Sequence, residues 1–483
     1  MVLRAAWWAV VIVALSSARP AGLPALRGLG GQLLAGDAPT RGSAPAQSGV
    51  PQLPGIVSHI KVLASHGEDV TTLDDWKRTC IQEGMSDQEK ALAIWRTVVK
   101  YRHQSAPPKE GLMTGGCVHD PLKTIHVYGY GQCCCASSNI EGLARYIGLP
   151  ARGRILNRHS VPEVFYDGAW HMLDASLMNY FLKDDGVLAS VDEIRGAVRE
   201  WFAAHPEHQA MRGNDAQLRA FAADNGWRQG PELLARCEFF DADGINGAGW
   251  HGWPSTMQEY DWPDEQCGVF DYGASMGYEL NIQLRPGERL TRNWFHTGLL
   301  VPGDIDDSAF ASRAPLRVQT QLGDSAPGRL GNGTLEYDLP LASGEFRSTA
   351  LAAENLRAPA AGDTGPALQL QDTAVPGVLV LRMPTSYVYL TGRVNLQAVV
   401  GPGGAIVVSA SRNHGRTWMQ AARITDSGAH TVALTDLVYR LYDYRLKIEL
   451  SGQGTGLDRV HVVHDVQHSQ APLPALAPGE NQI

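Results

Sequence analysis

Residues 128–176 read YGYGQCCCASSNIEGLARYIGLPARGRILNRHSVPEVFYDGAWHMLDAS, and this stretch decides the fold that we predict. It opens with a Gly-rich turn. From Ile140 the apolar residues recur at i, i+3, i+4 and i+7, which is typical of a helix packed on a core. Gly148 and Pro150 end that helix. Cys133 is therefore expected at or just before a helix N-terminus, where the helix dipole lowers the pKa of a thiol.

An Asp-Gly pair at 167–168 follows the helix and separates two runs of extended character. Such a pair is the strongest short signal for a β-hairpin. If its two-residue turn sets a regular register, Val161 lies opposite Asp174. His159 then shares a sheet face with Asp174 as its diagonal neighbour, about 7–8 Å away between backbones, whereas His171 lies on the other face. The stretch thus supplies a nucleophile, a base and an orienting carboxylate in the order Cys, His, Asp.

Four motifs follow one another here: Gly131-Gln132-Cys133, the helix end RYIGLPAR at 145–152, His159, and WHMLD at 170–174. Their combined spacing resembles the core of the transglutaminase-like superfamily of papain-fold enzymes. That spacing selects Cys133 over Cys134 and Cys135. The stretch 87–101 is similar to the helix that precedes this core in the family, so the resemblance covers about residues 85–180.

The resemblance implies acyl chemistry at an amide or an ester. It implies that Cys133 attacks the carbonyl carbon, that His159 moves the proton, and that Asp174 orients His159. Backbone N–H groups near Cys133 would hold the oxyanion. Family members commonly carry an aromatic residue two positions after the histidine, where this chain has Val161. These residues do not determine whether the acyl group goes to water or to an amine.

Several aromatic and polar residues are candidates for substrate contact: Tyr128, Tyr130, Gln132, Trp170, Trp250, Trp253 and Trp262. The last three belong to an aromatic-rich connecting loop predicted over 241–275. Aromatic rings beside polar groups on a long loop are what stacking on carbohydrate requires. The alternative interpretation is a loop that folds back and covers a core with its Trp side chains.

The chain has seven cysteines, and a nucleophile would explain the odd number in an exported protein. The widely spaced candidates for disulfides are Cys80, Cys117, Cys237 and Cys267. A competing interpretation is a metal site formed by Cys117, His119 and the cysteines at 133–135. That set lacks a clean CxxC pair and a matching second pair, so we predict no metal and no cofactor.

The N-terminal 18 residues have a basic residue, a short apolar run and small residues near the end, as in a signal peptide. An uncleaved N-terminal anchor is the alternative. Residues 19–50 are rich in Ala, Gly, Pro and Ser and are predicted to be a disordered linker. No later stretch approaches ~20 apolar residues, so we expect a secreted or periplasmic protein without a stable membrane span. The net charge of -9 offers no basic field for nucleic acid.

Beyond residue 275 the sequence changes to short alternating runs separated by Gly, Pro and Asp, which indicates all-β structure. The strands expected most clearly are 278–284, 335–339, 378–383, 405–409 and 444–450. We predict a β-rich domain over 276–375, a β-sandwich domain over 376–470 and a tail over 471–483. Residues 411–418 resemble the structural Asp-box hairpin, with Asn413 in place of the usual aspartate.

The sequence therefore predicts an α+β protein with a papain-like catalytic domain over 51–240 followed by β-sandwich material. The leading function is an exported cysteine hydrolase that cleaves amide bonds in peptide or cell-wall material. One alternative is a polysaccharide lyase in which His159 and Tyr128 or Tyr130 take a proton from a uronic acid. Another is a catalytically silent protein that binds carbohydrate or protein. The oligomeric state is left open.

Overall fold

The computed structural model describes residues 55–65, 67–104, 108, 110, 118–224, 226–237, 252–261, 269–270, 277–301, 330–362 and 364–474. All of these belong to one compact unit, Gln52–Ile483. Most of the helices and two small sheets precede residue 271, and two large antiparallel sheets follow, so the fold is α+β as predicted. The predicted signal peptide and linker lie outside the described residues, as do Cys117, Trp250, Trp262 and Cys267.

The helices among the described residues are α1 Leu73–Cys80, α2 Asp87–Tyr101, α3 Pro121–Lys123, α4 Cys133–Tyr146, α5 Val191–Ala204, α6 Asp215–Ala223, α7 Glu232–Ala235, α8 Trp253–Glu259, α9 Phe346–Thr349 and α10 Thr435–Val438. A π-helical turn, Thr124–Tyr128, extends α3. Short 3-10 helices lie at Pro206–Met211 and Gly226–Gln229. In the part of the chain that the structure describes, no helix has the length and apolar character needed to cross a membrane.

The strands are β1 His103–Gln104, β2 Tyr130–Gly131, β3 Ala151–Leu156, β4 His159–Tyr166, β5 Ala169–Met172, β6 Val269–Phe270, β7 Glu288–Thr291, β8 Leu330–Asp338, β9 Ala350–Glu354, β10 Leu356–Arg357, β11 Leu368–Leu370, β12 Gly377–Pro384, β13 Val388–Tyr389, β14 Arg393–Val399, β15 Ala405–Ser411, β16 Met419–Ile424, β17 Gly428–Ala433, β18 Asp443–Ser451 and β19 Gly456–Ser469.

The helix that begins at Cys133 packs as its apolar stripe predicts. Ile140, Leu143 and Ala144 are buried against residues of α2 in one hydrophobic core. Gly148 ends the helix with a φ of 92°, a left-handed conformation that glycine adopts without steric cost. The predicted helix start and its end signal are therefore both observed.

The hairpin of β4 and β5 has the predicted turn and register. Asp167 and Gly168 have φ angles of 48° and 78°, the positive values that a two-residue hairpin turn needs. Tyr166 pairs with Ala169, and regular pairing continues as far as Met172. The strands β3 and β6 complete a four-stranded sheet in the order β5-β4-β3-β6. The helix α8 and the strand β6 come from the predicted connecting loop. Part of that loop therefore belongs to the helical half of the molecule, which is the part before residue 271.

The strands from β7 to β19 form an eight-stranded sheet and a five-stranded sheet, and the buried faces of these two sheets share one core. Val394 and Leu396 come from the first sheet, and Leu446 and Ile448 come from the second. Strands from before and after residue 375 lie in both sheets. The predicted boundary between two β domains therefore falls within each sheet.

Four of the five strands expected most clearly lie in observed strands, and 278–284 does not. Its partner is the segment 55–60, which makes a single bridge between Val57 and Leu284. The backbone N–H of His59 donates to the side chain of Asn281 at 2.9 Å. The side chain of Asn281 thus binds a backbone N–H group that would bond to the neighbouring backbone in a regular ladder, and residues 278–284 do not form a strand.

The Asp-box-like segment connects β15 to β16. Asn413 Oδ1 accepts from the backbone N–H of Thr417 at 2.9 Å, and its Nδ2 donates to Thr417 Oγ1 at 2.8 Å. The first residues of the predicted tail are packed on the protein and do not form a separate extension. Leu473 is buried, and Ala471 packs against the core beneath α4. Residues 475–483 lie outside the described part of the chain.

Candidate active site

Cys133 is the first residue of the helix α4 and is half-buried. Gln132 occupies the N-cap position with extended backbone, and its side chain does not cap the helix. The turn before it requires a residue without a side chain, because a Cβ on Gly131 would lie 2.7 Å from the Cβ of Cys135. Close packing of this turn on the first helical turn fixes where the Cys133 thiol emerges.

His159 and Asp174 meet beyond the open end of the hairpin, as predicted, although the ladder ends at Met172 and Asp174 forms a bridge with Asn179 and not the predicted pair with Val161. His159 Nε2 lies 2.6 Å from Asp174 Oδ2, and both side chains are buried. The other carboxylate oxygen, Oδ1, accepts from the backbone N–H groups of Ser176 and Leu177 at 2.7 and 3.0 Å. These two bonds hold the carboxylate in place and satisfy the oxygen that does not face the imidazole.

The thiol of Cys133 is near enough to the His159 side chain for the two groups to shift each other's pKa. Burial alone would raise the pKa of this thiol, but the bond to His159 and the imidazolium charge lower it overall. For His159, burial would lower the pKa, but the charges of Glu259 and Asp174 and the bonds to Asp174 and Cys133 raise it well above its usual value. Both directions favour a thiolate–imidazolium pair.

Glu259, at the end of α8, is a second carboxyl group beside the histidine, and the sequence analysis missed it. Its Oε2 lies 3.8 Å from His159 Nε2, and its side chain is 16% exposed. Burial raises the pKa of Glu259 to about 8 against the opposing effect of His159. This carboxyl group therefore acquires its negative charge at a higher pH than an exposed glutamate does. No motif surrounds Glu259 in the sequence, and its segment was predicted to be a connecting loop.

Arg102, which directly follows α2, is a buried cation that links the two chain segments of the site. Its guanidinium donates to the carbonyl of Gly131 at 2.5 Å and to the carbonyl of Ala175 at 2.9 Å. One segment precedes Cys133 and the other follows Asp174. A lone Arg after a helix gives no sequence signal for this function, so Arg102 was also missed.

Tyr128 and Tyr130, predicted as substrate contacts, lie in the β-rich core instead. The hydroxyl of Tyr128 donates to Glu110 at 2.8 Å, and that of Tyr130 donates to the carbonyl of Val301 at 2.5 Å. The π-helical turn and β2 present both rings to the sandwich. Phenols that are enclosed and hydrogen-bonded in this way do not face a substrate.

The remaining described candidates differ in position. Trp253 is fully buried and stacks on Phe221 at 5.3 Å between ring centroids, so it covers a core. Trp170 is half-buried on β5 under the guanidinium of Arg152, 3.9 Å from its ring centroid. Gln132, next to Cys133, is half-buried and is the predicted substrate contact nearest to the thiol in sequence.

Among the residues that the structure describes, no cysteine forms a disulfide with another, although Cys80 and Cys237 were candidates. Cys80 is half-buried, and burial together with Glu68 raises its pKa to about 11. Within the described ranges, one set of side chains could hold a metal ion: the ligand atoms of His119, Cys134 and Cys135 all lie within 4.8 Å of one another. Cys133 is not part of this set.

Comparisons with known proteins give no relatives that would assign this site: neither a family model nor a curated protein matches the chain.

Proposed function

We propose that this protein is a transglutaminase-like cysteine enzyme that cleaves amide bonds through an acyl-enzyme, with water as the preferred acceptor. One observation carries the proposal: the buried His159 connects a thiol at a helix N-terminus to a carboxylate held by two backbone donors. A thiol, an imidazole and an acceptor-only carboxylate in this order are the parts of a cysteine nucleophile and its base.

In the proposed reaction the Cys133 thiolate attacks the carbonyl carbon of the amide. The backbone N–H groups of the first turn of α4 would stabilise the oxyanion, since helix N-termini favour negative charge. His159 gives its proton to the leaving amine, and the C–N bond breaks. The imidazole then takes a proton from water, which attacks the thioester and releases the acid and the Cys133 thiolate.

Asp174 and Arg102 would position the reacting groups in this scheme. Asp174 holds the orientation of the imidazole through Nε2, which leaves Nδ1 as the nitrogen available to the thiol. Arg102 would keep the turn before Cys133 and the segment that follows Asp174 at a fixed separation. Positioning of this kind matters because errors of about 1 Å cost about 10²-fold in rate.

The lyase alternative receives less support. It requires Tyr128 or Tyr130 to take a proton from a sugar ring, and both side chains are buried with their hydroxyls already bonded. Burial also raises the pKa of both phenols, which makes a phenolate base harder to form. The thiol reaction, in contrast, requires neither of these buried tyrosines.

Alkylation with iodoacetamide at neutral pH, followed by mapping of the modified residues, tests the nucleophile. We expect fast modification of Cys133 and slow modification of Cys80, which is also half-buried but has a raised pKa. His159→Ala should slow the modification of Cys133 and leave the rate at Cys80 unchanged. Equal rates at both cysteines, unaffected by His159→Ala, would contradict an activated thiolate.

Product analysis on peptides and peptidoglycan fragments, with and without an added primary amine, tests the reaction. We expect release of amine or ammonia, free acid as the main product, and loss of both in Cys133→Ala. A dominant amine adduct would shift the proposal from hydrolysis to transfer. Unsaturated products from acidic polysaccharides that persist in Cys133→Ala would replace it with lyase chemistry. Failure to form any acyl-enzyme with a panel of activated esters would indicate a silent binding protein.

A further inference from the structure

We propose that His119, Cys134 and Cys135 form a binding site for one thiophilic metal ion, Zn²⁺ or Cu⁺, beside the proposed nucleophile. The consecutive cysteines lie in the first turn of α4, and His119 lies just before α3. Their ligand atoms lie within 4.8 Å of one another. The segment that carries His119 contacts the same helix, where Ser138 Oγ donates to the His119 carbonyl at 3.3 Å.

The separation of the two sulfur atoms fits a shared ion. Two thiolates bound at about 2.3 Å lie about 3.8 Å apart around a tetrahedral ion and about 4.0 Å apart around a trigonal ion. The Sγ atoms of Cys134 and Cys135 are 3.9 Å apart. That distance is too long for a disulfide, whose sulfur atoms lie about 2.05 Å apart. The cysteines thus already hold the spacing that a metal requires.

The histidine needs only a small adjustment. A ring nitrogen and a thiolate on the same tetrahedral Zn²⁺ lie about 3.6 Å apart. The ring nitrogen of His119 is within 4.8 Å of both sulfur atoms, so each nitrogen–sulfur distance exceeds the bound value by no more than about 1.2 Å. His119 is half-buried, and rotation about its side-chain bonds provides such a movement.

The chemistry of the set favours soft ions. Two thiolates and one imidazole select Zn²⁺ or Cu⁺ over Mg²⁺ and Ca²⁺, which prefer oxygen ligands. With Zn²⁺ the unit of two thiolates and a neutral imidazole carries no net charge, which suits a position where Cys135 is buried and Cys134 is half-buried. The three ligands leave a fourth tetrahedral position for water or an external ligand.

Positive electrostatic features lie beside the two cysteines. Both cysteines lie at a helix N-terminus, where negative charge is stabilised. The buried guanidinium of Arg102 is close enough to attract both sulfur charges. Cys133 is held by His159 and is not a member of the set. The metal site is therefore distinct from the proposed nucleophile, although the two share the first turn of α4.

Metal binding by the purified full chain, stripped with a chelator, tests this proposal. Zn²⁺ or Cu⁺ is added, excess ion is removed by gel filtration, and bound metal is counted by mass spectrometry. We expect one ion per chain. Co²⁺ in place of Zn²⁺ should give a thiolate-to-cobalt charge-transfer band, which reports sulfur ligation directly.

Variants identify the ligands. We expect Cys134→Ser together with Cys135→Ser to weaken binding at least about 100-fold and to remove the cobalt band, and His119→Gln to weaken binding about tenfold or more. The matched control Cys133→Ala should keep full binding, and so should Cys237→Ala. If the double variant fails to fold, the His119→Gln variant, in which a half-buried side chain is replaced by one of similar size, still provides the test.

Two results would overturn the proposal. One is the absence of stoichiometric binding of either ion. The other is binding that survives in the double variant and in His119→Gln but is lost in Cys133→Ala, because the ion would then occupy the Cys133–His159 pair. Loss of metal in the double variant with retention in Cys133→Ala supports the site, whatever the outcome of the amide-cleavage experiments.

Discussion

Two fully buried histidines, one in each half of the molecule, have pKa values shifted in opposite directions. Burial lowers the pKa of His464 in the β-rich half to about 3, and its Nε2 lies 2.9 Å from the hydroxyl of Tyr444. Burial also acts on His159, but the charges of Glu259 and Asp174 raise its pKa well above the usual value. Burial by itself makes a histidine neutral. The site keeps a charged one only because carboxyl groups converge on it.

Removing the charge of Asp174 should have the largest effect on activity. In Asp174→Asn the imidazolium loses its close counter-ion and the ring loses its orienting acceptor, while a side chain of the same shape remains. We expect kcat/KM for amide cleavage to fall on the order of 10³–10⁴-fold. Steady-state kinetics on a peptide substrate provide the measurement.

The control for this change is Asp465→Asn in the sandwich. The carboxylate of Asp465 accepts from Thr391 at 2.6 Å, and the residue is distant in sequence from both Cys133 and His159. Kinetics like those of the wild type are expected. A similar loss in both variants would mean that general destabilisation, and not the charge at His159, controls activity.

Arg102→Lys should have the second-largest effect. A lysine cannot donate from one planar group to Gly131 and Ala175, so the turn before Cys133 loses its tie to the strand of Asp174. We expect kcat to fall about 10–100-fold with a smaller change in KM. Kinetics together with thermal unfolding separate the loss of positioning from the loss of stability.

Arg285→Lys is the matched change in the sandwich. Arg285 is also buried, pairs with Glu288 and donates to the carbonyl of Arg382 at 2.7 Å. Its replacement should lower the unfolding temperature and leave kcat unchanged in the folded protein. Equal losses of kcat in the two lysine variants would argue against a positioning function for Arg102.

Glu259→Gln should change the pH profile. In the wild type this carboxyl group has a pKa raised to about 8, so its negative charge develops as pH rises through that value and holds the proton on His159. Glutamine cannot develop this charge. The alkaline limb of kcat/KM should therefore move to lower pH by about one unit, as measured across pH 6–10.

The same variant should alter stability in a direction that the sign of the shift determines. The pKa of Glu259 is higher in the folded than in the unfolded protein, so folding retains a proton that the unfolded chain releases. The contribution of Glu259 to the stability of the wild type therefore falls as pH rises from about 4.3 to about 8. Glu259→Gln should flatten this part of the curve, whereas Glu354→Gln, on the exposed face of the sandwich, should not.

His464→Gln should have the smallest effect on activity. It removes a neutral partner of Tyr444 within the core, so we expect a loss of about 1–3 kcal/mol in unfolding free energy and unchanged kinetics below the unfolding temperature. Chemical denaturation gives the first quantity. Slower amide cleavage by the folded His464→Gln variant would contradict the expectation that His159 takes part in the reaction and His464 does not.

The features predicted correctly from sequence are local ones. The Asp-Gly turn sets the β4–β5 register, and that register brings His159 to Asp174. The helix signals place Cys133 at a helix N-terminus. Each depends on contacts between residues close in the chain, where periodicity and turn chemistry apply directly.

The features that were missed depend on distant contacts. Glu259 reaches His159 from a helix that belongs to no recognisable motif. The pairing of β8 with β19 joins residues on opposite sides of the sandwich sequence. The sequence around Trp253 and Tyr128 does not distinguish a ring buried in a core from a ring that faces a substrate, because an aromatic side chain serves in either place. Burial is a property of the whole fold, so single positions do not reveal it.

The position of β19 has a consequence for how the protein is made. This last long strand pairs with β8, β11, β13 and β14, and Gln467 Nε2 donates to the carbonyl of Val127, just ahead of the Cys133 turn. During synthesis Cys133 leaves the ribosome long before Gln467 does. The nascent chain therefore carries the thiol while the surface that supports its turn does not yet exist, and the site matures only after β19 has been synthesised.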